Sequence, residues 1–405
     1  MDIFNQLVDT ETFDKVHFMY EIVLILFAVK IAGHISKKLG QPAVMGELLI
    51  GVILGPSLLG WLEITPLIEE LAEIGVILLM FLAGLETDID EFKKTAYGSS
   101  LVAVNGVILP FIGGFLIGLL FDLSVTTSIF MGTLLVATSV SISVQTLREL
   151  GKMQSKEGVT ILGAAVLDDV LGIIILSVVI GFAGGESGSV MDIVILVLKI
   201  LTFFFLVVIV GRFVLPPLFK WGKRLLTTEV ILTFGIVCAL GFAFSAEMFG
   251  LAGIVGSYFA GLMLSLTKFN HELFEKVETI SFSFFVPIFF VSIGLIANVA
   301  GINASNLLLI VALTIVAILT KLVGGAIGAR IAGFSNRSSL GIGSGMIARG
   351  EVGLIVGTIG LSKGLISDEL FTTTVVIVLA TTLVTPPLLK LFFTDTKNGS
   401  KTVSK

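Results

Sequence analysis

Apolar residues along this chain recur in runs of about 20, separated by short stretches that carry charged, glycine or proline residues. A run of that length is what a helix needs to cross the hydrocarbon core of a bilayer. Thirteen such runs are present, and we predict one transmembrane helix for each. The predicted spans are 16–36, 43–61, 66–86, 96–121, 125–147, 158–183, 190–217, 228–246, 250–266, 279–298, 305–333, 338–361 and 369–393.

The composition excludes a water-soluble globule. The chain is 55% hydrophobic and only 14% charged, with a mean hydropathy of +1.08, whereas soluble domains carry about a quarter charged residues. We predict an all-α polytopic membrane protein with one transmembrane domain over 1–395 and a short cytoplasmic tail over 396–405. The acidic start of the chain lacks the positive region of a signal peptide, so the first span is expected to remain. The single cysteine, Cys238, excludes an intramolecular disulfide.

Lysine and arginine residues divide unequally between the two faces of the membrane. When successive loops are assigned alternately, 19 of the 25 basic residues fall on one face and only Lys15 and Lys363 on the other. The positive-inside rule then places the N-terminus outside and the C-terminus in the cytoplasm. The remaining basic residues lie within spans: Lys30, Lys199, Lys321 and Arg349.

Two adjacent aspartates, Asp168 and Asp169, lie near the middle of the run 158–183, which is otherwise free of charge. An ionised carboxylate at the bilayer centre costs about 2.5–3.5 kcal/mol, so the pair should be compensated by a partner or a bound cation. Span 11 runs in the opposite sense and carries Lys321 near its own middle, where the opposite charges can meet. The pattern indicates ion transport. No glycine-rich phosphate loop followed by Lys-Ser or Lys-Thr is present, which favours an ion gradient over ATP as the energy source.

Spans 5 and 12 both carry residues that interrupt helices. Hydroxyl side chains compete for backbone hydrogen bonds in span 5, at Thr138, Ser139 and Ser141. Span 12 is interrupted around Arg349 by Gly341, Gly343, Ser344, Gly345 and Gly350. Spans 5 and 12 are seven apart, an odd number, so they cross the membrane in opposite directions. Each is the middle member of a group of three spans, 4–6 and 11–13. We therefore predict an inverted repeat with two discontinuous crossing helices, whose half-helix ends offer dipoles and free carbonyls to ions.

The other charges within spans have simpler interpretations. Lys30 and Lys199 are expected to snorkel or to pair locally. Glu47 and Glu86, near the inner ends of spans 2 and 3, are expected to lie in interfacial water or to balance Arg349. Arg349 and Glu351 are interpreted as a structural charge cluster, because a guanidinium does not release its proton.

Two other classes of protein compete with an ion exchanger. An intramembrane aspartyl protease needs two carboxylates that share one water from separate helices. Neighbours on one helix point about 100° apart and do not readily do this. A sodium-coupled solute symporter on the same inverted-repeat plan is a nearer alternative. A passive channel would need a continuous polar pore, which these apolar spans do not offer.

Seven short segments resemble the monovalent cation:proton antiporter superfamily, in particular the bacterial sodium/proton antiporters of the NapA type. The resemblance extends over nearly the whole chain. The segments are 42–49 (PAVMGELL), 55–57 (GPS), 81–86 (FLAGLE), 137–140 (ATSV), 167–170 (LDDV), 289–295 (FFVSIGL) and 348–354 (ARGEVGL).

The resemblance implies a fold, an assembly and a place in the cell. It implies a non-enzymatic homodimer without cofactor or nucleic acid, in the cytoplasmic membrane of a prokaryote. Each subunit would have thirteen helices. Six of them would form an ion-carrying core (96–183 and 305–393), which moves like an elevator against a dimerisation scaffold (16–86 and 190–298).

The resemblance also assigns roles to the polar residues. It implies that Asp169 is the main carrier of cation and proton, that Asp168 is the partner of Lys321, and that Thr138 and Ser139 lie beside the site. The presence of both aspartates resembles electrogenic members.

The residue types agree with sodium as the exchanged cation. Na⁺ is a hard ion that prefers oxygen ligands, which Asp168, Asp169 and Thr138 can supply. We expect Na⁺ and Li⁺ to be exchanged for protons, with K⁺ for protons as the alternative. The hypothesis is that Na⁺ binding to Asp169 breaks the Asp168–Lys321 pair and releases protons, and that protons from the other side reset the site.

Overall fold

The computed structural model describes residues 10–183, 190–296 and 307–394. Over these residues the chain forms seventeen α-helices and two short π-helical turns, Val210–Val214 and Ser281–Phe285. The predicted tail 396–405, with Lys397, Lys401 and Lys405, lies outside the described residues. So do the predicted end of span 10 at 298 and the predicted start of span 11 at 305.

The helices follow one another with short connections. Their bounds are α1 Thr10–Lys38, α2 Ala43–Leu54, α3 Pro66–Glu86, α4 Ile89–Leu120, α5 Val125–Val136, α6 Val140–Glu149, α7 Lys156–Ala183, α8 Val190–Ile209, α9 Leu215–Gly222, α10 Val230–Met248, α11 Gly253–Ser265, α12 Asn270–Ile280, α13 Val286–Ile296, α14 Leu307–Ile331, α15 Asn336–Gly345, α16 Gly350–Ser362 and α17 Asp368–Phe393.

The fold is an all-helical polytopic membrane fold. Within the described part of the chain, nine helical segments are long and apolar enough to cross a membrane, or ten if α15 and α16, bent by 49°, form one span. The other three predicted spans correspond to α2, α3 and α11. Helices α2 and α11 have 12 and 13 residues, fewer than the roughly 20 that a full crossing needs. Helix α3 is long enough but begins with acidic residues, and the count of thirteen crossings stays a prediction.

Three predicted boundaries are wrong by seven residues or more. Span 4 was expected to begin at 96, but α4 begins at Ile89. Span 2 was expected to continue to residue 61, but α2 ends at Leu54. Pro56 disfavours helical backbone at Gly55, and the chain turns there, with the Gly60 N–H donating to the Gly55 carbonyl over 2.9 Å. Span 10 was expected to begin at 279, but its helix begins as α12 at Asn270. The buried Leu273 and Val277 give that polar segment an apolar face.

Packing groups the helices into two sets. Helices α4–α7 and α14–α17, the predicted core, pack mainly against one another, and the predicted scaffold helices α1–α3 and α8–α13 do the same. Within the scaffold, α2 packs on α13 and α3 packs on α11. In the numbering of predicted spans, the first pair is 2 and 10 and the second is 9 and 3. Span 2 is seven before span 9, and span 3 is seven before span 10, which is the same offset that relates span 5 to span 12.

Both scaffold contacts depend on pairs of glycines. A Cβ on Gly51 of α2 would lie 3.0 Å from the Cα of Gly294 on α13, and a Cβ on Gly84 of α3 would lie 3.0 Å from the Cα of Gly261 on α11. Small residues let membrane helices approach backbone to backbone, which is their main means of association in lipid. The glycines therefore position the scaffold through close van der Waals packing.

Candidate ion-binding site

Both predicted helix interruptions are present, and they contact each other. Span 5 is broken between α5 and α6, and span 12 between α15 and α16. The Ser139 N–H donates to the Ala348 carbonyl over 2.8 Å, and the Ser143 hydroxyl donates to the Gly345 carbonyl over 2.6 Å. These hydrogen bonds join the two breaks. They satisfy backbone carbonyls that have no helical partner there, which is needed because buried backbone groups must be hydrogen-bonded.

Gly350 begins α16 with a positive φ of 44°. Side chains with a Cβ rarely adopt this left-handed conformation. A Cβ at Gly350 would also overlap the side chain of Ser139. Glycine therefore lets the two breaks approach so closely.

Arg349 is fully buried and binds backbone carbonyls. Its Nη1 donates to the Leu135 carbonyl and, over 2.6 Å, to the Ala137 carbonyl, while its Nη2 donates to the Ala317 carbonyl over 3.2 Å. Carbonyls at a helix end lack partners within the helix. Arg349 therefore caps the end of α5 and links it to α14.

Arg349 and Glu351, interpreted from the sequence as a structural charge cluster, form no ion pair with each other among the described residues, and each binds its own partners. Glu351 accepts hydrogen bonds from the hydroxyls of Ser139 over 2.9 Å and Ser141 over 3.2 Å. Arg349 is the residue before α16 and Glu351 lies in the first turn of that helix, and the two side chains bind different partners. They act as two separate ties between the breaks.

Asp168 and Lys321 form a fully buried ion pair. The Lys321 Nζ donates to Asp168 Oδ1 over 2.8 Å, and the side chains are 0% and 1% exposed. The predicted contact is therefore present. Asp168 Oδ2 has no hydrogen-bond partner among the described residues. Gly106 of α4 faces the pair, since a Cβ there would lie 3.8 Å from Lys321 Nζ and 4.0 Å from Asp168 Oδ1.

Asp169 differs from its neighbour because it has no salt bridge among the described side chains. It is 9% exposed, and Asp168, Glu351 and Lys321 are near enough to act on its charge. Thr138, in the break of span 5, is buried and donates to the Val136 carbonyl over 3.3 Å. Among the described residues, the site thus contains one carboxylate in an ion pair and one without a salt bridge.

Glu47 and Glu86 were expected either to lie in interfacial water or to balance the charge of Arg349. The second expectation is wrong, because Asp168 is the carboxylate whose charge acts on Arg349 among the described residues. Glu86 Oε1 lies 3.8 Å from Arg148 Nη2. Glu47 lies near the charges of Glu149 and of Lys30 and Lys37 on α1. Of the lysines within spans, Lys30 donates to the Phe282 carbonyl over 3.2 Å, while Lys199 is exposed on α8.

The sequence interpretation missed Ser141 and Gly106 as site residues. Ser141 lies two positions after Ser139 in the same hydroxyl-rich break. This spacing could have predicted that both hydroxyls bind one partner, which is Glu351. Gly106 gave no comparable signal, because it is one of 45 glycines and its role depends on which helix faces it.

The fold and site define a helical membrane protein in which a buried lysine–aspartate pair and a second buried carboxylate lie beside two contacting helix breaks. The family described as "Sodium/hydrogen exchanger, transmembrane" matches residues 23–394, and the chain belongs to this family.

Curated relatives match over nearly their whole length. The chain is 45% identical to the Na(+)/H(+)-K(+) antiporter GerN of Bacillus cereus, over 93% of this chain and 96% of that one. It is 47% identical to the probable Na(+)/H(+) antiporter GerT of Bacillus cereus, over 93% and 99%. It is 41% identical to a Na(+)/H(+) antiporter of Enterococcus hirae, over 92% and 97%.

Among solved structures, the sodium proton antiporter MjNhaP1 from Methanocaldococcus jannaschii has a similar fold. The TM-score is 0.62, with 92% of this chain and 95% of that chain covered. The sequences are only 17% identical, so this likeness concerns the fold.

Proposed function

We propose that this protein exchanges a monovalent cation, Na⁺ in the first place and also Li⁺, for protons across the cytoplasmic membrane of a prokaryote. One observation carries the proposal. Asp169, a carboxylate without a salt bridge in the described part of the chain, directly follows a carboxylate that is neutralised by Lys321 in the interior of a membrane protein. A charge held at such depth needs a counterion, and a transported cation or a proton supplies one.

Oxygen atoms around Asp169 suit Na⁺ as the transported substrate. Its carboxylate offers charge, and the Thr138 hydroxyl oxygen offers a neutral ligand. The carbonyls at the end of α5 already accept from Arg349 and Thr138, and each keeps a second lone pair for a cation. Hard cations prefer such ligands. Protons compete for the same carboxylate, so the site carries either the metal ion or a proton.

The ion pair couples the two substrates. A sodium ion on Asp169 repels the ammonium of Lys321, which weakens its bond with Asp168 and promotes loss of the Lys321 proton. One proton from Asp169 and one from Lys321 then leave for each Na⁺ bound. A two-for-one exchange moves net charge, so the membrane potential drives it.

The conformational step follows from the grouping of the helices. The core set, α4–α7 and α14–α17, carries the site, and its helices pack mainly within the set. We propose that this set slides against the scaffold set in a thirteen-span homodimer, with the N-terminus outside. The site then faces each side of the membrane in turn.

K⁺ is the second candidate substrate. GerN of Bacillus cereus, 45% identical to this chain, is named a Na(+)/H(+)-K(+) antiporter. The choice between the two ions depends on the fit of the oxygen ligands around the ion, which small differences in geometry decide.

Exchange in proteoliposomes tests the proposal. The purified protein is reconstituted with a pH-sensitive dye inside, and Na⁺, Li⁺ or K⁺ is added at several pH values with the potential clamped or free. We expect proton movement opposite to Na⁺ and a rate that depends on the potential. Sodium-dependent uptake of an organic solute without proton countertransport would favour the symporter instead. Peptide cleavage that requires both aspartates would favour the protease.

A further inference from the structure

Helix α6 ends with two opposite charges, and the first of them reaches the scaffold. Arg148 Nη2 donates to Glu278 Oε1 of α12 over 2.6 Å and lies 3.8 Å from Glu86 Oε1 of α3. Its guanidinium lies over the rings of Phe282 and Phe274, at 4.6 and 5.1 Å from their centroids. With 13% of its side chain exposed, Arg148 is enclosed by two carboxylates and two aromatic rings, all from scaffold elements.

The second charge, Glu149, binds the start of another scaffold helix. Its carboxylate accepts the N–H groups of Ala43 over 2.6 Å and Val44 over 3.2 Å. The residue before α2 is Pro42, which gives no side-chain cap, so Glu149 caps this helix from a different part of the chain. A carboxylate at a helix N-terminus satisfies free N–H groups and the helix dipole together. Gln145 holds the carboxylate in place by donating to it over 3.1 Å.

Both residues belong to α6, which is part of the core set, whereas their partners belong to the scaffold helices α2, α3 and α12. In the predicted topology these partners lie at or beside the cytoplasmic ends of the predicted spans 2, 3 and 10. Hydrogen bonds of this length break on a displacement of one helical turn, about 5.4 Å. Sliding of the core against the scaffold would therefore separate all of these contacts together.

We propose that Arg148 and Glu149 form a cytoplasmic latch, which holds core and scaffold together in one end state and opens once in each transport cycle. The proposal rests on the proposed exchange of cations and protons and adds the residues that set its resting state. Neither residue belongs to the ion site. They act as positioning residues, through the balance between the inward-facing and outward-facing states.

A shift in that balance has a specific signature. The apparent affinity for a ligand falls as the fraction of protein in the binding-competent state falls. Weakening the latch populates the other end state, so the half-saturating Na⁺ concentration rises on one side of the membrane and falls on the other. A merely structural role would change both in the same direction or change neither.

A reversible cross-link tests whether the contact opens during transport. Cysteines replace Arg148 and Glu278 in a Cys238→Ala background. A short bis-methanethiosulfonate reagent joins them in proteoliposomes, because each cysteine displaces a sulfinate and forms a reducible disulfide with the linker. The matched control joins cysteines at Lys223 and Glu272, a salt bridge of 2.9 Å with Lys223 5.0 Å from the Phe269 ring. Both control residues lie in the scaffold set.

We expect the cross-link between 148 and 278 to stop Na⁺/H⁺ exchange and a reducing agent to restore it, while the control pair exchanges normally when linked. Equal exchange by both linked proteins would overturn the latch, since the contact would then persist through the cycle. If the unlinked parent shows no exchange of any cation for protons, the proposed function itself fails, and the latch fails with it.

Single substitutions test the latch without a cross-link. In Glu149→Gln and Arg148→Gln we expect opposite shifts of about three- to tenfold in the half-saturating Na⁺ concentration on the two sides. Lys223→Gln should leave both values unchanged. Shifts of the same sign on both sides in the two latch variants would contradict the proposal.

Discussion

Lys321 on α14 and Asp168 on α7 bind each other over 2.8 Å with almost no exposed surface. Each charge is compensated only while the other remains in place, because neither reaches water. Asp169, the next residue, has no such salt bridge within the described chain. This difference between two adjacent carboxylates is the basis for the following predictions.

Replacing Asp169 with asparagine should abolish cation/proton exchange. Asparagine has a similar size but carries no charge, so the site loses both its ligand for Na⁺ and its titratable group. The measurement is dye-reported exchange in proteoliposomes. The control is Asp122→Asn, an exposed acid with a positive φ of 57° that asparagine tolerates. Exchange retained by Asp169→Asn would reject this residue as the carrier.

Replacing Lys321 with methionine should lower the stability of the protein. The change leaves Asp168 buried without its partner, and breaking one member of a buried pair costs about 3–5 kcal/mol. The midpoint of thermal unfolding in detergent measures the effect. The double variant Asp168→Asn with Lys321→Met should recover part of the loss, because no unpaired charge remains. A double variant less stable than Lys321→Met alone would show that the loss has another cause.

Replacing Gly350 with alanine should destabilise the contact between the two helix breaks. The left-handed backbone and the overlap with Ser139 together cost about 1–3 kcal/mol. Gly172→Ala in α7 is the matched control, since its Cβ would lie at an ordinary 3.9 Å from Val136 Cγ1. Thermal unfolding of both variants checks this, and equal midpoints would contradict the interpretation of Gly350.

Replacing Arg349 with lysine should weaken the link between α5 and α14 although the charge is kept. A lysine cannot reach the carbonyls of Leu135, Ala137 and Ala317 at once, as the planar guanidinium does. We expect a loss of about 2–4 kcal/mol, in line with hydrogen bonds to charged groups. Arg330→Lys is the control, because Arg330 donates over 2.7 Å to the Phe334 carbonyl, which a lysine can also do. The measurement is the midpoint of thermal unfolding, which should fall in Arg349→Lys and stay nearly unchanged in Arg330→Lys.

Several parts of the fold and site follow from local sequence. The long apolar runs predict membrane helices because each backbone must satisfy its own hydrogen bonds in lipid. Hydroxyl-rich and glycine-rich stretches predict the two breaks, because these residues weaken helices locally. The Asp168–Lys321 contact was predictable because two opposite charges at the same depth have few other partners.

Other features could not be predicted because they depend on how helices face one another. Glu351 was interpreted as part of a charge cluster with Arg349, but it accepts hydrogen bonds from Ser139 and Ser141, a choice that depends on how the two helix breaks pack together. The early end of α2 depends on the turn at Gly55, in a stretch whose composition still resembles a span. Arg148 and Glu149 follow the predicted end of span 5 at 147, and nothing in the sequence pointed to their partners, which are far away in the chain.

The sequence by itself determined that the protein lies in a membrane, where its helices are interrupted, and which charges lie at the depth of the bilayer centre. Each of these properties depends on the order of apolar and polar residues within a single helix. Only the tertiary structure decided which carbonyls Arg349 caps, which hydroxyls Glu351 accepts, and that α6 is tied to three other helices. Such partners depend on the rotation and crossing of neighbouring helices, which are fixed by packing between segments distant in the chain.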